Sequence, residues 1–253
     1  MPVTAGTGET LEYHRAPLPV RDELVAAHQR AWERLRGPGE WWTGTMRVAI
    51  AKETRAAPDC ALCEARKAAL SPCAVTGTHT AATDLPEVLI ELLHRTRTDS
   101  GRLTRQVYDD ALAGGLSDSE YVEAIGVMAT VIAIDTFCDA MGIARHELPA
   151  PAPGDPRRRR PAGAKDGLAW VPTVAPEDVT EAEAGMYDGL AAVNIHRALS
   201  LVPAEVEGFF DLDAVQYLPD AVLRDFGTEY RSLTHAQIEF LAGRVSAINQ
   251  CFY

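Results

Sequence analysis

Long hydrophobic runs are missing from this chain of 253 residues. The longest apolar run, residues 124–134, has only 11 residues, whereas a membrane-spanning helix needs about 20. Residues 1–10 have neither the basic nor the apolar region of a secretion signal. We therefore expect a cytoplasmic protein without a membrane partner, in which residues 124–134 lie in a buried helix.

Basic side chains are also scarce. The chain has 24 Lys and Arg against 36 Asp and Glu, which gives a formal net charge of -12. Because such a charge repels nucleic-acid phosphates and anionic lipids, we expect no nucleic-acid partner. The four arginines at residues 157–160 are a local exception, and they could bind an anionic partner or form a solvated loop.

Cysteine is rare, and its number is odd. An odd number without a secretion signal argues against a secreted disulfide framework, and in a reducing compartment a Cys-x-x-Cys pair is more often catalytic or metal-binding. We expect the cysteine inside the longest apolar helix, Cys138, to be a small buried residue. The five are Cys60, Cys63, Cys73, Cys138 and Cys251.

Few stretches alternate like strands, so the sequence predicts an all-α fold. Ser117 and Glu120 form a capping box that begins a long helix reaching about Met141. Further helices are predicted at residues 60–70, 181–201, 203–210, 219–227 and 234–248. Five prolines and the arginine block change the composition between them, which predicts a linker at residues 149–167.

The pair Cys60 and Cys63 is the strongest chemical signal. Asp59 precedes it as a predicted N-cap, so both thiols would lie at the start of a helix, whose free N–H groups and dipole stabilise a thiolate. A thiolate there could attack a peroxide, and the second cysteine could then form a disulfide with it. Inert thiols and a zinc site are the alternatives, the latter with the ligands Cys60, Cys63, Cys73 and His79.

Two stretches resemble the alkylhydroperoxidase D-like / carboxymuconolactone decarboxylase superfamily. The first runs from Arg47 through Cys63 to the sequence Gly-Leu-Ser-Asp at residues 115–118, and the second is formed by residues 233–239 and 245–253. The resemblance implies a helical bundle made of two related regions, the second incomplete. We expect an N-terminal extension and first helix at 1–40, the first region at 41–148, the linker at 149–167 and the second region at 168–253.

The family pattern is a glutamate, then Cys-x-x-Cys, then a histidine. In the second region Glu239 lies 12 residues before Cys251, as the pattern requires. The next cysteine-type position would follow Tyr253. Selenocysteine is encoded by UGA, which conventional translation reads as a stop codon. One expectation is therefore a selenoprotein whose sequence is recorded as ending at Tyr253. The alternatives are truncation, a frameshift and a true terminus.

In the first region the aligned glutamate position holds Val48, and Arg66 or Lys67 lies near the expected histidine. Glu53 or His79 could replace the missing groups only if the fold brings them close. His94, near a predicted helix end, could be functional or could complement the helix dipole.

The resemblance implies a homo-oligomeric thiol- or selenol-dependent peroxidase that reduces hydrogen or alkyl hydroperoxides. A thiol or dithiol protein would be its reductant, and no cofactor is expected. The alternatives are a carboxymuconolactone decarboxylase-type lyase and a non-catalytic zinc-binding oligomeric protein. The expected catalytic residues are Cys60, Cys63, Glu239 and Cys251.

Overall fold

A computed structural model describes residues 11–251, and within this range the fold is all-α, as predicted. A two-stranded antiparallel ribbon, β1 (Ala164–Lys165) with β2 (Thr173–Val174), is its only sheet in these residues. The helices are α1 (Asp22–Arg36), α2 (Gly44–Ala56), α3 (Ala61–Ala68), α4 (Glu87–Asp99), α5 (Arg105–Ala113), α6 (Asp118–Ala140), α7 (Asn194–Arg197), α8 (Pro203–Gln216) and α9 (His235–Ile248).

Helix α6 is the centre of the bundle. The predicted capping box begins it: the Ser117 hydroxyl accepts the Glu120 N–H at 3.2 Å, and the Glu120 carboxylate accepts the Ser117 N–H at 2.9 Å. Among the described residues only α6 is long and apolar enough to cross a membrane, but 61% of its most apolar window is buried. It packs against α1, α2, α4 and α8, so it serves as the core helix of the bundle.

Two hydrophobic clusters cross the predicted boundary between the two regions. Leu212 of α8 belongs to the main cluster formed by α1, α2, α4 and α6. Val122 of α6 belongs to the second cluster, which is built mainly from residues 174–210. The segment at 149–167 also lies along the bundle, where the Ala152 N–H donates to the Arg36 carbonyl at 2.8 Å. Each cluster therefore takes most of its residues from one predicted region and at least one from the other.

The structure contradicts the prediction of one helix at residues 181–201. A 3₁₀ turn occupies Glu181–Glu183, and only the four residues of α7 are α-helical. The interruption has a backbone cause, because Gly185 (φ 94°) and Gly189 (φ 75°) take the left-handed conformation that glycine favours. Only a 3₁₀ turn, Asp220–Val222, forms within the predicted helix at 219–227, whereas α8 extends the predicted 203–210 by six residues to Gln216.

The predicted last helix is present as α9, capped by Thr234. Three apolar residues at helical spacing on α9 are largely exposed in this chain: Leu241 is 51%, Val245 55% and Ile248 62% accessible. Residues 252 and 253, next to the predicted second position of the interrupted motif, lie outside the described residues, as do residues 1–10 of the predicted N-terminal extension.

Candidate dithiol and histidine site

Three helices position the two cysteines of the Cys-x-x-Cys motif. Pro58 lies in a 3₁₀ turn, Ala57–Asp59, that ends α2 and redirects the chain into α3. The N-cap of α3 is Cys60 itself, so the prediction that Asp59 caps this helix is wrong by one residue. Cys63 lies in the first turn of α3, and α4 packs across α2 and α3. The two thiols are therefore held between α3 and α4.

Cys60 is surrounded by hydrogen-bond donors. The Thr80 N–H donates to its sulfur at 3.4 Å, and the His79 Nδ1 atom lies 3.4 Å from the same sulfur. Burial alone would raise the pKa of the Cys60 thiol, but the backbone N–H groups of Cys63 and Thr80, together with His79, favour the thiolate and lower this pKa to about 6. Cys60 therefore carries thiolate character near neutral pH.

Glu91 of α4 holds the histidine that faces Cys60. Its carboxylate lies 2.7 Å from His79 Nε2 and accepts two bonds from Arg66 Nη1, both at 2.8 Å. Burial opposes ionisation of Glu91, but hydrogen bonds from His79 and Arg66 lower its pKa to about 2. Burial also disfavours the charged His79 ring, yet Glu91 and the Cys60 sulfur raise the His79 pKa above its ordinary value. Arg66 thus acts on His79 through the Glu91 carboxylate.

Cys63 has a second, separate histidine and carboxylate. The His94 Nδ1 atom lies 3.2 Å from the Cys63 sulfur, and His94 Nε2 lies 2.8 Å from Glu53 Oε1. The Glu53 carboxylate also accepts the Thr83 hydroxyl at 2.6 Å and the Ala82 N–H at 3.1 Å. Burial is the main reason that the pKa of the Cys63 thiol is raised to about 11. Cys63 is therefore the protonated partner of Cys60.

The carboxylates determine the tautomers of both rings. An ionised carboxylate only accepts hydrogen bonds, so the Nε2 atoms of His79 and His94 must carry hydrogen where they meet Glu91 and Glu53. In the neutral ring, Nδ1 then carries the lone pair and points at sulfur. Both histidines can therefore take a proton from a thiol or donate a lone pair to a metal ion at the same atom.

Only one of the two histidine–carboxylate pairs reaches solvent. Glu91 is 41% exposed, and it lines with His79 a surface depression of about 460 Å³ between residues 77–81 and α4. The side chains of His94 and Glu53 are fully buried. The sulfur-bearing residues themselves are almost closed off, with Cys60 1% and Cys63 3% exposed. Neither cysteine lines the depression, and His79 is the residue that both lines it and contacts the Cys60 sulfur.

The structure brings Cys60 and Cys63 together, but the other two expected catalytic residues lie elsewhere. Glu239 of α9 accepts the Tyr217 hydroxyl at 2.5 Å, and Cys251 is exposed beyond the end of that helix. Because α9 is continuous to Ile248, its rise separates the two residues by roughly 14 Å or more along the helix axis. They are not hydrogen-bond partners along this helix, and their joint catalytic role stays a prediction.

The predicted zinc ligand set needs one replacement. Cys73 is exposed, and its sulfur is 3.8 Å from Arg95 Nη2, outside the cluster. His94 takes its place in the only group of potential metal ligands found among residues 11–251. Cys138 is fully buried in α6, as predicted.

Sequence reasoning found His79 and Glu53 as conditional substitutes, and the fold does bring both into the site. It missed Glu91 and gave His94 no partner. The available signal was helical spacing: His94 and Arg95 lie three and four residues after Glu91 on α4. What the sequence did not show is that this face of α4 packs on the Cys-x-x-Cys helix.

Searches against protein-family models, curated proteins and solved structures found no match to this chain.

Proposed function

We propose that this chain is a cysteine-dependent peroxidase that reduces hydrogen or alkyl hydroperoxides through Cys60 and Cys63. The observation that carries this proposal is that two adjacent sulfurs face two carboxylate-held histidines, His79 near both sulfurs and His94 near Cys63, and that only the His79 pair reaches solvent. The motif resemblance to the alkylhydroperoxidase D-like superfamily supports the same chemistry. Membership of that family and assembly into homo-oligomers are part of the proposal.

Cys60 is the attacking residue in this scheme. Its thiolate takes the distal oxygen of the peroxide, the O–O bond breaks, and the departing alkoxide receives a proton from His79. The products are a sulfenic acid at Cys60 and an alcohol, or water when the substrate is hydrogen peroxide. Glu91 keeps the His79 ring oriented and exchanges protons with solvent through the surface depression.

Cys63 resolves the sulfenic acid. His94 takes the Cys63 proton, and the Cys63 sulfur then attacks the Cys60 sulfur. An S–S bond forms as the S–O bond breaks, and the departing hydroxide takes the proton from His94 and leaves as water. The two sulfur atoms lie within 4.8 Å of each other, which a side-chain rotation can close to bonding distance. A thiol or dithiol protein then restores both thiols by disulfide exchange, which completes the cycle.

Peroxide consumption by chelator-treated, reduced protein tests this proposal. Cys60→Ser should abolish turnover, and Cys63→Ser should leave a sulfenic acid at Cys60 that a sulfenic-acid probe labels after one equivalent of peroxide. Cys73→Ser is the matched control, because this cysteine is exposed and outside the cluster, and it should retain wild-type turnover. Undiminished turnover by Cys60→Ser, or no turnover by wild type with any dithiol reductant, contradicts the proposal. The decarboxylase alternative stays a prediction. Alkylation of every thiol distinguishes it from the peroxidase, because a lyase would keep its activity after this treatment.

A further inference from the structure

Four potential metal ligands converge in one small volume. One ligand atom each of Cys60, Cys63, His79 and His94 lies within 4.8 Å of the other three. Three sulfur–nitrogen separations are 3.4 Å (Cys60 to His79), 3.6 Å (Cys63 to His79) and 3.2 Å (Cys63 to His94). Residues from α3, α4 and the segment between them thus meet at one point.

These separations match the edges of a metal-centred tetrahedron. With Zn–S near 2.3 Å and Zn–N near 2.05 Å, a tetrahedral sulfur–nitrogen edge is about 3.55 Å. The observed values depart from this edge by a few tenths of an ångström. Three of the six ligand–ligand edges therefore already fit a zinc tetrahedron, and the other three are no longer than 4.8 Å.

The outer hydrogen bonds are those that zinc-binding histidines use. A histidine that ligates through one nitrogen commonly donates its other N–H to a carboxylate, which fixes the tautomer and strengthens the ligand. Glu91 accepts from His79 Nε2 at 2.7 Å and Glu53 accepts from His94 Nε2 at 2.8 Å, so both Nδ1 lone pairs are directed at the sulfurs. Both histidines therefore already have the orientation that ligation demands.

The charge and the softness of the donors select the ion. Two thiolates balance the two charges of Zn²⁺, and the set of two sulfurs and two nitrogens suits a tetrahedral soft cation rather than Ca²⁺ or Mg²⁺, which prefer oxygen. The protein supplies all four ligands from residues that are nine-tenths buried or nearly so. Such a closed set leaves no position for a substrate, as in structural zinc sites.

We propose that the reduced protein binds one Zn²⁺ through Cys60, Cys63, His79 and His94. Bound zinc slows the peroxidase cycle, because a sulfur that ligates zinc is a weaker nucleophile than a free thiolate, although peroxide still oxidises it. Metal binding itself does not depend on the proposed function; only its release by peroxide does. In that release the two thiolates give two electrons to the peroxide, an S–S bond forms, and two solvent protons complete one water and one alcohol as Zn²⁺ leaves.

Zinc titration of the reduced, chelator-washed full chain against a chromophoric chelator tests the site. We expect one equivalent of tight binding, and a tetrahedral Co²⁺ spectrum with sulfur-to-cobalt charge transfer when cobalt replaces zinc. Glu53→Gln should weaken binding about 10- to 100-fold, as loss of such carboxylates does elsewhere, and His94→Gln should weaken it more. Cys73→Ser should bind like wild type.

Alkylation of wild-type protein keeps the proposal testable if a variant fails to fold. Zinc should protect Cys60 and Cys63 from a thiol reagent, whereas exposed Cys73 should react with or without the ion. Absence of stoichiometric binding, or equal labelling of Cys60 and Cys63 with and without zinc, overturns the site. A loss of binding in Cys73→Ser but not in His94→Gln overturns the ligand set. Since these readouts need no peroxide, failure of the zinc site and failure of the peroxidase are separately visible.

Discussion

At the residue scale, Cys60 and Cys63 show how position in a helix gives two identical side chains different thiol pKa values. Cys60 caps a helix, receives the Thr80 N–H and has a pKa lowered to about 6. Cys63 lies one turn further in, where burial raises its pKa to about 11. Their different roles come from these surroundings rather than from the motif itself.

Replacing Glu91 by glutamine tests the relay that serves Cys60. Glutamine cannot balance a charged His79 ring, so we expect kcat/KM for peroxide to fall roughly 10- to 100-fold, which is less than the 10²–10⁴ contributed by a complete acid–base group. Glu87→Gln is the matched control, because Glu87 lies in the first turn of the same helix and lines the same depression, whereas Glu91 is the carboxylate that meets His79 Nε2. Equal kcat/KM values for the two variants would contradict the role of Glu91.

Sequence alone could identify the thiols, but it gave His79 and Glu53 only as conditional partners and did not pair His94 with Cys63. Cys60 and Cys63 are three positions apart, so any helix places them on one turn. His94 lies 31 residues after Cys63, and its contact depends on how α4 crosses α3. Local spacing carries no information about such a crossing, which is why a nearby cysteine, Cys73, was a more obvious fourth ligand than a distant histidine.

At the scale of elements, the same capping box has different consequences in α6 and α9. Ser117 caps α6, and most of that helix lies in the core. Thr234 caps α9, and among the described residues of that helix only His235 is buried. Both boxes were predictable because they depend only on residues three apart. The interruption of the helix predicted at 181–201 was not predictable in this way. The sequence shows that glycines are present there, but not that their backbones take a positive φ.

We expect Ser117→Ala to lower the free energy of unfolding by about 1 kcal/mol, the usual effect of losing an N-cap. Thr234→Ala should change the global value much less and should instead speed amide exchange at the start of α9, because a peripheral helix can fray without the core opening. Urea denaturation with hydrogen exchange measures both effects. Equal global losses in the two variants would mean that α9 unfolds together with the core.

At the scale of the whole molecule, buried polar contacts join distant segments. Arg47 of α2 donates to Glu123 of α6 at 2.5 Å and to Glu205 of α8 at 2.7 Å. His28 of α1 likewise contacts the Tyr13 hydroxyl and lies 2.8 Å from the Gln216 side chain at the end of α8. These contacts join the N-terminal part, the first predicted region and the second, so their loss should affect the entire fold.

His28 provides the whole-molecule prediction because it is buried in its neutral form. Burial, and to a smaller extent the nearby His146, lowers its pKa from 6.5 to about 4. Between pH 6.5 and about pH 4 this histidine is protonated in the unfolded chain but not in the folded chain. The stability that the neutral ring contributes is therefore fully present above pH 6.5 and is lost as the pH falls toward 4. The loss from this one residue amounts to about 3 kcal/mol at most, at 1.36 kcal/mol for each unit of pKa difference.

Replacing His28 by glutamine should remove that part of the acid sensitivity. Glutamine keeps a polar group facing Tyr13 but takes up no proton, so the stability of wild type relative to His28→Gln should decrease as the pH falls from 7.5 to 4.5. The measurement is urea unfolding across this range, with His14→Gln, at an exposed histidine, as the control that should follow wild type. Parallel stability curves for wild type and His28→Gln would show that the buried ring is not the acid-sensitive contact between α1 and α8.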